Sequence, residues 1–361
     1  MESHIVRMVI QVCPMYGKMK HKGLISSVII SLLFSCNNPA PDGFEINGQT
    51  QGTTYSVILA DQNSTVNKVQ IDSLLLAFDS SLSSYIENSI ISTLNKTKDS
   101  TVISDPTGYF KKCFEISTII YQATNGAFDP SVYPLVEGWG FRNDNKTPLT
   151  EFEVDSIMDF ISFEEGLHYQ IQFLNSTINF TKNDERFKFD FNAVAQGLAV
   201  DVVDTYLSEL GFKNYYIEIG GEIIVRGKNR DGQKWKIGVD LPEENLENRK
   251  LENIIYISDK AIATSGNYRN FYVDDGVKYA HTINPKTGFP VRHSLLSVTV
   301  IADDCASADA YATAFMVMGK DKTIEFIKMH PKAYVEAYLL FSDGNGAIKR
   351  KMSSGFSNYL K

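Results

Sequence analysis

The second half of the chain is a succession of short extended runs closed by turn-forming residues, and this pattern narrows the fold more than any other feature. NYYIEIGGEIIVRGK, folded about Gly220 and Gly221, and KWKIGVDLP come first. After an acidic loop, IIYISDKAIATSGNYRNFYV, VKYAHTINP and LLSVTVIA follow, with turns at DDG and KTG. AYVEAYLLFS is the last strand expected. Strands therefore largely follow one another with helices inserted between them, the pattern of an α+β fold with a mostly antiparallel sheet and packed helices.

The first half fits that frame. FEINGQTQGTTYSVILA, Phe44 to Ala60, reads as two strands or as one bent strand broken at Gly52. A helix is expected from about Val66 to Ser81 with Ile71, Leu74, Leu75 and Phe78 inward. A second runs from about Gly108 to Thr124, with Phe110, Cys113, Phe114, Ile116, Ile119 and Ile120 as its core face. Between about Thr150 and Asp184 fall a short helix and the extended pieces HYQIQFL and STINF. FKFDFNAVAQGLAVDVVDTYLSELGF then reads as a strand, Asn192 as helix cap, and a helix ending at Gly211. Its expected inner face is Ala195, Ala199, Val202, Val203, Tyr206 and Leu210. A further helix is expected at about Lys322 to His330.

Cys305 to Gly319, CASADAYATAFMVMG, reads as a helix that also offers hard ligands. Asp309 and Thr313 stand four apart, so both oxygens leave one face. Ala308, Ala312, Phe315 and Met316 form an apolar stripe beside them, and Gly319 is the stop. A carboxylate and a hydroxyl suit Mg²⁺, which takes its remaining oxygens from water and a substrate phosphate. The same residues also serve a plain helix, since Asp favours the macrodipole near the start and Thr can bond its own backbone.

Charge bears on the substrate. A formal net charge of -8 with no dense Lys/Arg tract argues against non-specific nucleic-acid binding. An anionic small molecule therefore needs a local site or a metal. Of four Cys, Cys13 and Cys36 fall in the leader, and Cys113 and Cys305 are expected to be buried small hydrophobes rather than a disulfide or zinc site.

Residues 19 to 36, MKHKGLISSVIISLLFSC, have a basic start, an apolar run too short to span a bilayer comfortably, and small Ser35 before Cys36. That is the layout of a bacterial lipoprotein signal, with bulky Phe34 as its one awkward residue. A signal cut elsewhere or a buried N-terminal helix accounts for the same residues. Residues 1–18 read as a mis-called extension, 19–35 as the signal peptide and 36–43 as a tether. The expectation is an exported protein, anchored to a membrane by lipid on Cys36 and facing the periplasm.

Four short segments are rich in the residues that sites use: GAFDPSVYPLVEGWGF, NAVAQG at a helix start suited to phosphate, ATSGNYRNF, and HTINPKTGFP around His281. Each alone has a structural reading as a turn or a packed loop. With TQGTTY, LSSYIENSIISTLN, YIEIGGEIIVRG and SADAYATAFMVMG they occur in one order over about Gly48 to Gly319. In that order they resemble the FAD:protein FMN transferase family, the ApbE-type flavin-transferring lipoproteins.

The resemblance implies a T-fold-like α+β catalytic domain over residues 44–361 that binds FAD and Mg²⁺. It implies transfer of FMN from FAD to a Thr hydroxyl of an acceptor protein, with release of AMP. By position, Asp309 and Thr313 match the family's metal-binding side chains, and Ala195 matches the residue lending a backbone carbonyl. Gln51, Tyr85, Ala127, Phe128, Asp129, Asn192, Leu198 and Ile283 match flavin-nucleotide contacts, and His281 matches the His proposed as acid or base. Acceptors in the family are typically membrane or exported redox subunits. Three positions depart from the family pattern: Gln51 where Met is common, Gln196 where Lys or Glu is common, and Asn284 where HxxDP has Asp. The last removes a carboxylate near His281 and is expected to lower its basicity. Two rival readings share the same residues: an Mg²⁺-dependent FAD pyrophosphatase giving FMN and AMP, and a flavin-binding lipoprotein without turnover.

Overall fold

The structure, a computed structural model, describes residues 44–61, 65–142, 147–242, 250–267 and 271–360. The leader, Cys36 and the tether lie outside these residues, as do Tyr268 to Asn270 of the third site segment.

Strands β1 (Phe44–Thr50) and β2 (Thr53–Leu59) form a hairpin, so the opening run is two strands. Its turn, Gln51 and Gly52, lies at positive φ (51° and 71°). Helix α1 (Lys68–Leu82) starts from a capping box between Asn67 and Gln70, a device worth about 1 kcal/mol. Then come α2 (Ile90–Lys96), β3 (Ser100–Ser104), α3 (Tyr109–Ala123), α4 (Tyr133–Gly138) and α5 (Glu151–Met158). Strands β4 (Tyr169–Leu174) and β5 (Thr177–Lys182) join β3 in a small sheet of order β3-β5-β4. Helix α6 (Asn192–Glu209) leads into β6 (Tyr215–Ile219), β7 (Glu222–Arg226), β8 (Trp235–Asp240), β9 (Leu251–Ile257) and β10 (Lys260–Gly266). The rest is β11 (Phe271–Asp274), β12 (Val277–Ala280), β13 (Leu295–Ala302), α7 (Cys305–Met318), α8 (Lys320–Met329), β14 (Glu336–Ser342) and β15 (Ile348–Met352).

Eight strands make the main sheet, in the order β1-β2-β6-β7-β10-β13-β14-β15, and every neighbouring pair is antiparallel. Side chains alternate across it. Ile217, Ile219, Ile224, Ala263 and Val300 face the core built with α1, α3, α6 and α7. Tyr216, Ile223, Val225, Ile262 and Tyr338 face the other way, under Trp235, Ile237, Val239 and Ile255 of the β8–β9 pair. Burial on both faces explains why β6 and most of β7 are buried at every position.

Helices α6 and α7 cross at close range beneath this sheet. A Cβ on Gly197 would stand 2.3 Å from the Cys305 carbonyl oxygen. Glycine is therefore required there by backbone approach, and Cys305, Ala306, Ala308 and Ala312 keep the facing surface thin.

Several expectations need correction. Asn192 is the first helical residue, not the cap; Phe191 is at the cap position, and Asp190 Oδ1 accepts the Asn192 amide at 2.9 Å. The inner face of α6 closes on Leu207, and Leu210 is exposed. Ile119 is exposed as well: the buried stripe of α3 is Phe110, Cys113, Phe114, Ser117 and Ile120, and position 119 falls off it. Helices α2 and α4 and strands β3 and β15 are additional to the expected elements. Strand β15, IKRKM, is charged and borders the main sheet, where such residues protect an open edge. Cys113 and Cys305 are free and fully buried, as expected of small hydrophobes.

Candidate active site

The site is assembled where α6 and α7 exchange contacts. Both oxygens of Asp201, on α6, accept the Cys305 and Ala306 amides at 2.7 and 2.8 Å. Asp304 caps the same helix start by accepting the Ser307 amide at 2.8 Å. Two carboxylates thus satisfy amides that a helix start leaves open. In return, Asp309 Oδ2, on α7, accepts the Gly197 amide at 3.2 Å. The α6 start is fixed upstream too, where the Asp190 amide donates to the Pro130 carbonyl at 2.6 Å.

Asp309 and Thr313 leave one face of α7, as their spacing requires. Thr313 Oγ1 lies 3.3 Å from Ser265 Oγ at the end of β10. Burial pushes the Asp309 carboxyl up to about 7. Glu222, at the start of β7, is buried beside it and is held well above the usual carboxylate range, first by burial and then by the Asp309 charge. Among the described residues no ion pair involves either group. Two buried carboxylates, a hydroxyl and the main chain around Ala195 make a donor set of oxygens alone, which suits a hard divalent cation. Sequence reasoning passed over Glu222 because a strand Glu ordinarily faces water.

A second group of contacts ties the loops to this centre. Thr282 Oγ1 donates to Asn267 Oδ1 at 2.6 Å, fixing half-buried His281 to the end of β10 and hence to the neighbourhood of Thr313. Ile283 bridges to Pro290, and the intervening turn closes through Asn284. Its side-chain oxygen accepts the Lys286 amide at 2.9 Å, and its carbonyl accepts the Gly288 amide at 2.9 Å. An Asn side-chain oxygen serves this turn as a carboxylate would. Gly288 in turn accepts the Trp139 indole N–H at 2.7 Å, so GAFDPSVYPLVEGWGF and HTINPKTGFP form one wall.

The remaining candidates are spread around that wall. Gln51 sits at the β1–β2 turn, and the carbonyl of Thr54, three residues on, accepts the Gly220 amide at 3.1 Å, which places the turn beside the β6–β7 tip. Ala127 and Phe128 are buried. Asp129 is buried too, and its Oδ1 accepts both the Ser131 amide and hydroxyl, at 2.8 and 2.6 Å, so that carboxylate first serves its own loop. Asn192 is exposed at the α6 start. The Leu198 side chain is fully buried in the core and backs the site, leaving only its main chain to meet a ligand. Tyr85 is 81% exposed and rests on Arg142, whose guanidinium lies 5.1 Å from its ring centre. Arg142, which sequence reasoning missed, also donates to Ser84 Oγ at 2.7 Å and pairs with Asp190 at 3.4 Å.

Known proteins resemble this chain in sequence and in fold. The model of the ApbE family covers residues 51–339. The FAD:protein FMN transferase of Vibrio cholerae is 34% identical over 349 residues, 93% of this chain and 98% of that protein. Its counterpart in Haemophilus influenzae is 30% identical over 92% of this chain and 97% of its own length. Among solved structures, the flavin transferase ApbE from Vibrio cholerae superposes with a TM-score of 0.76 at 32% identity, covering 88% of this chain and 99% of that one. With the fold, the helix crossing and the loop wall all in place, the chain belongs to the ApbE family.

Proposed function

We propose that this protein is a transferase that takes FAD and an acceptor protein, moves FMN to a threonine hydroxyl of the acceptor, and releases AMP. The observation that carries the reading is the oxygen cluster of Asp309 and Thr313 beside the α6 start, in a chain matched nearly end to end by proteins named FAD:protein FMN transferase.

The donor set fits Mg²⁺, and Asp309, Thr313 and the Ala195 carbonyl would hold it. Bound there, the cation supplies neutralisation of the diphosphate and of the charge that develops on the departing AMP. The protein's own part is positioning. The Gly197 amide orients Asp309, and Ser265 orients Thr313. Tyr85 offers an exposed ring for stacking, and Gln51, Ala127, Phe128, Asp129, Asn192, Leu198 and Ile283 shape the nucleotide site. The acceptor hydroxyl oxygen attacks the phosphorus on the FMN side, the P–O bond to AMP breaks, and the hydroxyl proton passes to His281.

The leader bears on location, and the family resemblance on the acceptor class. An export signal ending at Cys36 supports a lipid-anchored protein facing the periplasm. The acceptor is then a membrane or exported redox subunit carrying the target Thr. Mass spectrometry of the mature N-terminus tests the anchor, and an unmodified Cys36 would overturn it.

The transfer itself is tested by incubating residues 44–361 with FAD, Mg²⁺ and a candidate acceptor, then measuring the acceptor's intact mass and free AMP. Addition of FMN with stoichiometric AMP is expected, and Asp309→Ala should remove both. FMN and AMP without a mass shift on any acceptor would instead identify an FAD pyrophosphatase, and unchanged FAD a binding protein.

A further inference from the structure

We infer that Glu222 supplies a second carboxylate to the divalent-cation site, so that the cation is held by the FAD-free protein before the diphosphate arrives. The inference rests on the cation reading proposed above for Asp309 and Thr313.

Strand register puts Glu222 on the correct side of the sheet. It pairs with Ile219 across the β6–β7 turn and shares its face with Ile224, which belongs to the helix-side core. Ile223 and Val225 point to the opposite core.

The turn is also pressed against the first residues of α6. Gln196 Nε2 donates to the Ile219 carbonyl at 3.3 Å. A Cβ on Gly220, which has a φ of 63°, would fall 1.6 Å from that nitrogen. Glu222 therefore enters the helix layer next to Ala195 and Gly197, whose amide holds Asp309.

Glu222 is only 9% exposed, and one of its oxygens, Oε2, is buried with no hydrogen bond. Asp309 is 7% exposed and receives one amide. Two adjacent buried carboxylates without a basic partner among the described residues stay ionised together only where a cation offsets them. Asp309 alone leaves a divalent ion with a net positive charge until phosphate comes; with Glu222 the charges balance.

Mn²⁺ is the probe, its binding to metal-free, FAD-free protein followed by the EPR signal of the free ion, alongside thermal melts. Glu222→Gln, nearly isosteric, is expected to weaken Mn²⁺ binding at least tenfold. Its metal-free melting midpoint should stay close to wild type, because the change is nearly isosteric and adds no buried charge, and its gain in midpoint on adding Mg²⁺ should shrink. Wild-type Mn²⁺ affinity in Glu222→Gln would overturn the inference, as would failure of that variant to fold without metal or the absence of Mn²⁺ binding by FAD-free wild type. Asp309→Asn separates the two levels. If it loses Mn²⁺ while Glu222→Gln does not, only the role of Glu222 falls; if Asp309→Asn binds normally, the underlying cation reading falls.

Discussion

The Gly197 amide donates to Asp309 Oδ2 at 3.2 Å across a helix crossing so tight that no side chain fits at position 197. One contact therefore sets both the packing of α6 on α7 and the aim of a candidate metal ligand. Gly197→Ala must push backbone against backbone at Cys305, at a cost of about 1–3 kcal/mol. A melting midpoint lowered by several degrees is expected, together with Mg²⁺ affinity reduced more than FAD affinity. Calorimetry with and without Mg²⁺ checks both.

Asp201 is expected to make stability depend on pH. Burial, then the nearby Asp304 charge, raises its carboxyl to about 7 against the pull of the Cys305 and Ala306 amides. The unfolded value is about 4. Between about pH 4 and 7 the folded state keeps a proton that the unfolded state has released, so this group's contribution to stability falls as pH rises through that window. Asp201→Asn carries no titrating proton and should flatten that part of the profile. Midpoints measured across the window in chelator check it, and an unchanged slope would refute the assignment.

Arg142 joins two walls of the site. Its ion pair with Asp190 is buried, each side chain 8% exposed, and its guanidinium sits under Tyr85 and 4.3 Å from the Tyr133 ring centre. Arg142→Ala leaves Asp190 buried without its partner, at about 3–5 kcal/mol, and frees Tyr85. A lower melting midpoint and a KM for FAD raised on the order of tenfold, with kcat nearly kept, are expected; loss of kcat alone would place Arg142 in the chemistry instead.

His281 is the residue proposed to take the acceptor's proton. His281→Ala should slow FMN transfer about a hundredfold or more, the scale of a lost general base, while FAD binding measured by fluorescence quenching stays close to wild type. Unchanged transfer would remove His281 from the reaction.

Much of this was readable along the chain where one segment determines its own state. YIEIGG and EIIVRG are apolar runs meeting at glycines, and they form β6 and β7. Asp309 and Thr313 share a helix face because helix periodicity alone puts them there. What escaped depends on partners distant in sequence. Asp201 caps a helix 104 residues away, and Glu222 matters only because the β6–β7 turn rests on Gln196. Asn192 has the side chain of a cap, but the helix begins one residue earlier than that pattern predicts, with Phe191 at the cap position and the Asn192 amide bonded to Asp190. Strand β15 hid behind its charges, which suit an edge but break the apolar pattern.

The reciprocal clasp, Asp201 on the start of α7 and Asp309 on the amide of Gly197, ties the proposed cation site to the hydrophobic interior. A lineage altering this enzyme's choice of acceptor could not retune those helices without also loosening the whole domain. Substitutions that alter partner preference are thus expected in the loops around this clasp rather than within it.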